Sequence, residues 1–151
     1  EARYLNAIDG GDGSALDESS PSGDKVWFAG TFTKNPLTMA AAHAVTERLR
    51  EAGNALQEGL NEKTARLAER LNGWLTEHSM PVRIEHFGSM FRVAAAPALW
   101  MVMAHLRMRG IYAFDGMNFF LSTEHSDREL TQFEDALQES LTDMRAGGMI
   151  Q

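Results

Sequence analysis

The stretch Phe28-Ala-Gly-Thr-Phe-Thr-Lys-Asn-Pro-Leu-Thr-Met-Ala-Ala-Ala42 leads into the first predicted helix of the chain. Asn35 can cap the first free amides of a helix, and Pro36 fits the first helical position, where no amide hydrogen is needed. Small and apolar side chains then recur on one face at helical spacing: Leu37, Ala40, Ala41, Ala44, Val45 and Leu49. This alanine-rich face predicts close packing against another element, and Gly53 is the expected end of the helix.

On the amino-terminal side of this stretch, residues 9–25 are small, polar and rich in glycine, which predicts a long loop. On the carboxyl-terminal side, a second helix is predicted up to Pro81 by a leucine stripe: Leu56, Leu60, Leu67, Leu71 and Leu75. Residues 82–95 contain β-branched side chains around Gly88-Ser89, which predicts strand structure with a bend.

Two helices and a strand pair are predicted in the remainder. Residues 97–109 form a helix that ends at Gly110, and residues 111–122 form strands around the turn dipeptide Asp115-Gly116. Ser126-Asp-Arg-Glu129 is a capping box for the last helix, whose buried face is predicted to be Leu130, Phe133, Leu137 and Leu141. The order of helix, helix, strands, helix, strands and helix predicts an α+β domain with its helices on one face of a sheet.

Composition excludes several classes of function for this chain of 151 residues. A formal net charge of −7 argues against binding to a nucleic-acid backbone, which needs a positive surface. The absence of cysteine excludes disulfides and thiolate metal sites, and no apolar run is long enough to predict a membrane span. No metal site is expected at His43, His86, His105 or His125, since none has a partner at ligand spacing.

Three stretches of the sequence resemble class III pyridoxal-phosphate (PLP) aminotransferases, which include the glutamate-1-semialdehyde aminomutases. The opening stretch resembles the family segment G-T-x-x-x-N-P-L-x-M-A-A, and Phe87-Gly-Ser-Met-Phe91 resembles a strand of the family's small domain. Phe120-Leu-Ser-Thr-Glu-His-Ser-Asp127 resembles the element F-L-S-T-x-H-T-D near the family's C-terminus. The combination is most similar to aminotransferase domains embedded in hybrid polyketide/non-ribosomal peptide synthases. Two further stretches resemble segments of those domains: Leu56-Gln-Glu-Gly-Leu-Asn61 and Tyr4-Leu-Asn-Ala-Ile-Asp-Gly-Gly11.

The resemblance implies an aspartate-aminotransferase-like (type I) PLP fold that is incomplete on its own. Residues 1–52 are then expected to be the end of the α/β large domain and a linker helix, and residues 53–151 the α+β C-terminal small domain. The lysine that forms the Schiff base is expected upstream of Tyr4, so no catalytic residue is assigned in this chain and the isolated chain is expected to be inactive. Lys34 is interpreted as a solvated or substrate-channel residue.

Four residues are expected, from the resemblance, to lie at the functional site. Gly30 and Thr31 match a Gly-Thr pair that reaches across a homodimer interface to the PLP phosphate of the other subunit. Phe114 and Asp115 match positions at a substrate entrance, and a hairpin turn followed by core aromatics is an equal alternative for them.

The resemblance implies amino transfer from an amino acid donor to a β-ketoacyl thioester on an acyl carrier protein, in a cytoplasmic homodimer. One alternative is a stand-alone glutamate-1-semialdehyde 2,1-aminomutase, although Phe114-Asp-Gly-Met-Asn-Phe119 departs from that group's S-x-F-E-x-G. Another is a non-catalytic dimerisation or scaffold module. The sequence immediately upstream, with or without the cofactor lysine, would separate an enzyme from a scaffold.

Overall fold

The computed structural model describes residues 30–32, 35–95, 100–113 and 118–150. Its helices are α1 (Pro36–Ala52), α2 (Asn54–Glu77), α3 (Trp100–Met108) and α4 (Asp127–Ala146), and its strands are β1 (Val82–Phe87), β2 (Met90–Ala95) and β3 (Asn118–Phe120). This order confirms the predicted succession of helices and strands, except that within the described residues the last predicted strand pair is present as the single strand β3. The chain divides into two compact units between Arg48 and Leu49. The domain boundary expected between residues 52 and 53 stays a prediction.

Helix α1 exposes the face that was expected to be packed. None of its residues is buried, and Leu37 and Val45 keep 82% and 60% of their surface accessible. The predicted close packing of the alanine-rich face is therefore not observed within the described residues. The predicted end is confirmed, because Gly53 adopts φ of 57° between α1 and α2, a backbone conformation that glycine tolerates without steric cost.

Helix α2 supplies one wall of the core. Its leucines Leu67, Leu71 and Leu75 are at most 2% exposed, while Leu56 and Leu60 are half-buried. The helix ends before Pro81, as expected, and an arginine from α4 caps it. The Arg145 guanidinium donates to the carbonyl oxygens of His78 at 2.6 Å and Ser79 at 2.7 Å, which satisfies acceptors that a helix end leaves without partners.

The sheet is antiparallel in the order β1-β2-β3. Strands β1 and β2 form a hairpin in which Ile84 pairs with Val93, and Gly88 turns the chain with φ of 58°. This confirms the strands and the bend predicted for residues 82–95. Alternation along the strands buries Ile84, Phe91 and Val93 against the helices. The opposite face of the sheet is exposed at Phe87 and at Phe120.

The outer edge of β1 is held by the side chain of Asn72 from α2. Its Nδ2 donates to the Ile84 carbonyl oxygen at 2.9 Å, and its Oδ1 accepts from the Ile84 amide at 2.8 Å. The amide thus makes the same pair of hydrogen bonds with Ile84 that a neighbouring strand would make. We refer to this pair of bonds as the Asn72 clamp.

Residues 111–113 do not form the first half of the predicted strand pair. They have no regular secondary structure, because their backbone groups bond to the end of α3. The Ile111 amide donates to the Leu106 carbonyl at 2.9 Å, and the Ala113 carbonyl accepts from Arg107 Nη2 at 3.4 Å. Gly110, with φ of 79°, ends α3 where expected. The second half of the pair is present as β3, which bonds to β2.

Helix α4 closes the core over β2 and β3. The capping box is confirmed, since the Ser126 hydroxyl accepts from the Arg128 amide at 3.3 Å and Glu129 Oε2 accepts from the Ser126 amide at 2.9 Å. All four predicted apolar residues are buried, together with three further side chains: Ala136, Ser140 and Met144. The rings of Phe91, Phe119 and Phe133 contact one another with centroids 4.9 to 5.3 Å apart. They join β2, β3 and α4.

Candidate functional site

The turn at Gly30–Phe32 precedes α1 and exposes both candidate phosphate-binding residues, Gly30 and Thr31. The Asn35 amide donates to the Phe32 carbonyl at 3.2 Å, which connects this turn to the start of the helix. Asn35 Oδ1 then accepts from the amides of Leu37 at 3.0 Å and Thr38 at 3.3 Å. The cap predicted from Asn35-Pro36 is confirmed.

This geometry decides which groups near α1 can receive a phosphate. Pro36 has no amide hydrogen, and the amides of Leu37 and Thr38 already donate to Asn35. The donors of the first turn are therefore occupied, and the helix contributes only its dipole. The exposed Gly30-Thr31 segment provides backbone amides and a hydroxyl, which are donors that a phosphate oxygen accepts. These residues fit a phosphate group.

Three other residues singled out in the sequence lie outside the described residues: Lys34, Phe114 and Asp115. The solvated role of Lys34 and the substrate-facing role of Phe114 and Asp115 stay predictions. The same holds for the turn expected at Asp115-Gly116.

Two of the stretches that carry the family resemblance lie side by side on the sheet. Met90, from the stretch 87–91, pairs with Phe120, from the stretch 120–127. The Leu121 amide donates to the Ser89 carbonyl at 2.9 Å and extends this pairing by one bond. The two stretches therefore form one continuous surface at the Gly88-Ser89 end of the sheet.

The turn between β3 and α4 is built around His125. Its Nδ1 accepts from the Ser122 amide at 3.0 Å and lies 3.0 Å from the Ser122 hydroxyl oxygen. An Nδ1 that accepts a backbone N–H leaves Nε2 as the protonated nitrogen of the neutral ring. Lys63 of α2 donates from Nζ to the His125 carbonyl at 2.9 Å. Ser122 and His125 belong to the stretch 120–127, which carries part of the family resemblance. No pattern in the sequence indicated a role for Lys63.

A groove of about 410 Å³ runs beside β3. Its aromatic side consists of Phe91, Tyr112, Phe119, Phe120 and Phe133. Its polar lining includes His125, Glu129 and Gln132. Ala113 and Asn118, which flank the candidate residues 114 and 115 in the sequence, both line this groove. The groove is therefore the described feature closest in sequence to the predicted substrate entrance.

Two half-buried carboxylates near these surfaces have lowered pKa values. Hydrogen bonds from Arg92 and then Arg83 lower the pKa of Glu85 on the outer face of the sheet. Hydrogen bonds from the Ser126 hydroxyl and amide lower the pKa of Glu129. Both groups stay charged to more acid pH than an ordinary glutamate, and both are already engaged by neighbouring side chains or amides.

The described residues contain neither a cluster suited to a metal ion nor a helix suited to a membrane. No group of three or more His, Cys, Asp or Glu side chains in the described ranges is arranged to hold a metal ion. Within the same ranges, no helix has both the length and the apolar character needed to cross a bilayer.

Comparison with known proteins places the fold among transaminases. No protein-family model matches the chain. A glutamate-1-semialdehyde 2,1-aminomutase from Desulfitobacterium hafniense (strain DSM 10664 / DCB-2) is 40% identical over 82 residues, which are 54% of this chain and 18% of that protein. A transaminase solved with PLP bound superposes with a TM-score of 0.73 at 21% identity over 97% of this chain. An omega-transaminase from Sphaerobacter thermophilus gives 0.69 at 23% identity over 96%.

The match spans 34% of each of these two solved chains, and the aligned stretch spans less than a fifth of the aminomutase. The likeness to the solved structures shows the fold, and it confirms the α+β class with the type I transaminase architecture. The likeness to the aminomutase shows a related sequence over half of the chain. The chain thus has the fold of about one third of a transaminase, and about half of it is related in sequence to a glutamate-1-semialdehyde 2,1-aminomutase.

Proposed function

We propose that this chain is part of a PLP-dependent aminotransferase that acts as a homodimer. The observation that carries the proposal is the superposition on the PLP-bound transaminase over 97% of the chain. When bound, PLP supplies an electron sink for the carbon that exchanges its amino group. The chain's own contribution is to bind and orient the cofactor phosphate and to surround the substrate.

Gly30 and Thr31 are proposed to hold the phosphate of the cofactor in the partner subunit. Both are exposed and therefore accessible to a second chain. The Asn35 cap fixes the first turn of α1 and so fixes the position of the segment that precedes it. A hydroxyl and an amide that donate to a phosphate form charge-assisted hydrogen bonds, which are stronger than neutral ones.

The finer proposal for the substrate is a β-ketoacyl thioester on an acyl carrier protein, with an amino acid as the amine donor. It is supported by the resemblance of Phe28–Ala42 and residues 56–61 to embedded aminotransferase domains. Phe114 and Asp115 are proposed to line the entrance for the acyl chain. The same resemblance supports residues 53–151 as the small domain and a cytoplasmic location.

A second candidate is a glutamate-1-semialdehyde 2,1-aminomutase, which the relative at 40% identity favours. The two candidates differ in substrate, so purified full-length enzyme should be assayed with glutamate 1-semialdehyde and with a carrier-bound β-ketoacyl thioester. Turnover of the thioester alone supports the first candidate, and turnover of the semialdehyde alone supports the second. No turnover of either, in a protein without the upstream lysine, supports the scaffold alternative.

The trans role of Thr31 is tested by mixing two inactive full-length variants, one without the cofactor lysine and one with Thr31→Val. In a mixed dimer, one site keeps its own lysine and receives an intact Thr31 from the other chain. Random exchange makes half of the dimers mixed with one good site in two, so roughly a quarter of the wild-type activity at low PLP should return.

If Thr31 served the cofactor of its own subunit, every site of the mixed dimer would carry one defect. Mixing would then restore nothing, and a flat result after verified subunit exchange would contradict the trans assignment. Measuring PLP affinity of the Thr31→Val variant by fluorescence provides a separate check, because the lost hydroxyl should weaken cofactor binding without changing the melting temperature of the cofactor-free protein.

A further inference from the structure

The Asn72 clamp coincides with a chemically labile dipeptide. Asn72 is followed by Gly73, and this is the one Asn-Gly pair among the six asparagines of the sequence. Glycine after asparagine is the most permissive context for deamidation, because it has no side chain to hinder attack by its own backbone nitrogen. The residue whose amide holds β1 is thus also the asparagine most prone to lose that amide.

The reaction needs a backbone conformation that α2 does not allow. The Gly73 backbone nitrogen attacks Asn72 Cγ, a new N–C bond closes a five-membered ring, and the side-chain nitrogen leaves as ammonia. Water then opens the ring at either carbonyl and gives aspartate or isoaspartate. In a helix the residue 73 amide donates to the carbonyl of Glu69, and Asn72 Nδ2 and Oδ1 are both engaged by Ile84. The fold therefore keeps the two reacting atoms apart.

We propose that Asn72-Gly73 is a modification site that the fold masks, and that its deamidation after opening of α2 prevents β1 from returning to its place. Aspartate at position 72 has no N–H to donate to the Ile84 carbonyl, and it presents an acceptor oxygen to another acceptor. Isoaspartate adds a carbon to the backbone inside the helix and shifts the register of Leu71 relative to Leu75. Aspartate therefore breaks the half of the clamp in which residue 72 donates to Ile84, and isoaspartate displaces the whole side chain.

Deamidated chains accumulate over the lifetime of the protein. Each opening of α2 exposes the dipeptide for a short time, so the modified fraction records how much of the time the chain has spent open. An unmodified chain returns to its starting state when α2 closes again, whereas a modified chain does not. The modification depends only on the contact between α2 and β1 and is independent of the proposed reaction.

The test compares the chain in mildly alkaline buffer with and without urea above its unfolding midpoint. Peptide mapping by mass spectrometry follows the peptide containing residues 72 and 73, which gains about one dalton when the amide becomes an acid. Modification should be more than about tenfold faster in urea, since the native state opens only rarely. Asn54-Ala55 and Asn61-Glu62 serve as internal references in the same helix. Equal rates with and without urea would overturn the proposal.

Refolding provides the second readout. After removal of urea, the fraction that regains native ellipticity and tryptophan fluorescence should fall in step with the fraction that remains unmodified. A modified population that refolds with an unchanged urea midpoint would also overturn the proposal.

Two variants separate the chemistry from ordinary instability. A Cβ at Gly73 meets no atom within 4 Å, so Gly73→Ala should fold and should slow modification in urea by about tenfold, because a side chain now hinders the attack. Asn72→Asp supplies one product directly and should unfold at lower urea or fail to fold. Wild-type modification rates in unfolded Gly73→Ala, or a wild-type midpoint for Asn72→Asp, would each contradict the proposal.

Discussion

At the scale of single residues, Arg145 stabilises the end of another helix. Its guanidinium donates to the carbonyls of His78 and Ser79, and Arg145→Met removes both donors while keeping much of the side chain's volume. We expect this change to lower the free energy of unfolding by about 1 kcal/mol, measured by urea titration followed by circular dichroism.

The matched control is Arg66→Met, because Arg66 pairs with Glu62 on an exposed face of α2. An exposed i,i+4 pair contributes only about 0.3 to 0.5 kcal/mol. Equal losses for the two variants would show that the bonds from Arg145 to the end of α2 contribute no more than a surface ion pair.

The contacts of Arg145, Asn72 and Lys63 could not be predicted from the sequence. Their hydrogen bonds join positions 67, 12 and 62 residues apart, and no local pattern encodes which carbonyl a distant side chain will meet. Gly30 and Thr31 were predicted only through family resemblance, because an exposed Gly-Thr pair has no physical signature of its own. Phe114 and Asp115 stay predictions.

At the scale of elements, the capping box determines where α4 begins. Replacing Ser126 with alanine removes the acceptor for the Arg128 amide and should cost about 1 kcal/mol of stability. In the proposed full-length aminotransferase, PLP affinity should stay unchanged. A large loss of PLP with unchanged melting would instead identify Ser126 as a site residue. Thr142→Ala, on the exposed face of the same helix, is the control.

The pH dependence of the same box follows from Glu129. Hydrogen bonds from Ser126 lower the pKa of its carboxyl in the folded protein, so its stabilisation is fully present above the ordinary glutamate pKa of about 4.3. That stabilisation disappears as the pH falls through the lowered folded-state pKa. The difference in unfolding free energy between the wild type and Glu129→Ala should therefore shrink in acid, and a constant difference would contradict this account.

The elements whose sequence signals lie within a few residues were predicted correctly. The strand predicted at residues 111–113 was wrong, because the end of α3 bonds to its backbone instead. The Asn35 cap, the hairpin at Gly88 and the box at Ser126 each depend on residues within a few positions of one another. Residues 111–113 were predicted as a strand because Asp115-Gly116 is a hairpin-type dipeptide, yet the Ile111 amide bonds to Leu106 at the end of α3. A turn dipeptide cannot reveal that a preceding helix already uses the backbone groups.

At the scale of the whole molecule, a cluster of three phenylalanines connects the sheet to α4. Phe133 is 6% exposed and contacts both Phe91 and Phe119. Phe133→Ala should therefore destabilise the fold by about 3 to 5 kcal/mol, read from the urea midpoint. Phe120→Ala is the control, because Phe120 is 65% exposed on the opposite face of the sheet. Similar losses for both variants would contradict the assignment of the two faces of β3.

The Asn72 clamp has a consequence for how separate molecules meet. An edge strand normally offers unpaired amides and carbonyls to any extended chain nearby, which is the first step of fibril growth and strand exchange. At the centre of β1, the Ile84 amide and carbonyl are already bonded within the same molecule. An incoming chain would have to displace Asn72 before it could pair with Ile84. The amide side chain of Asn72 therefore protects this domain from intermolecular aggregation through the outer edge of β1.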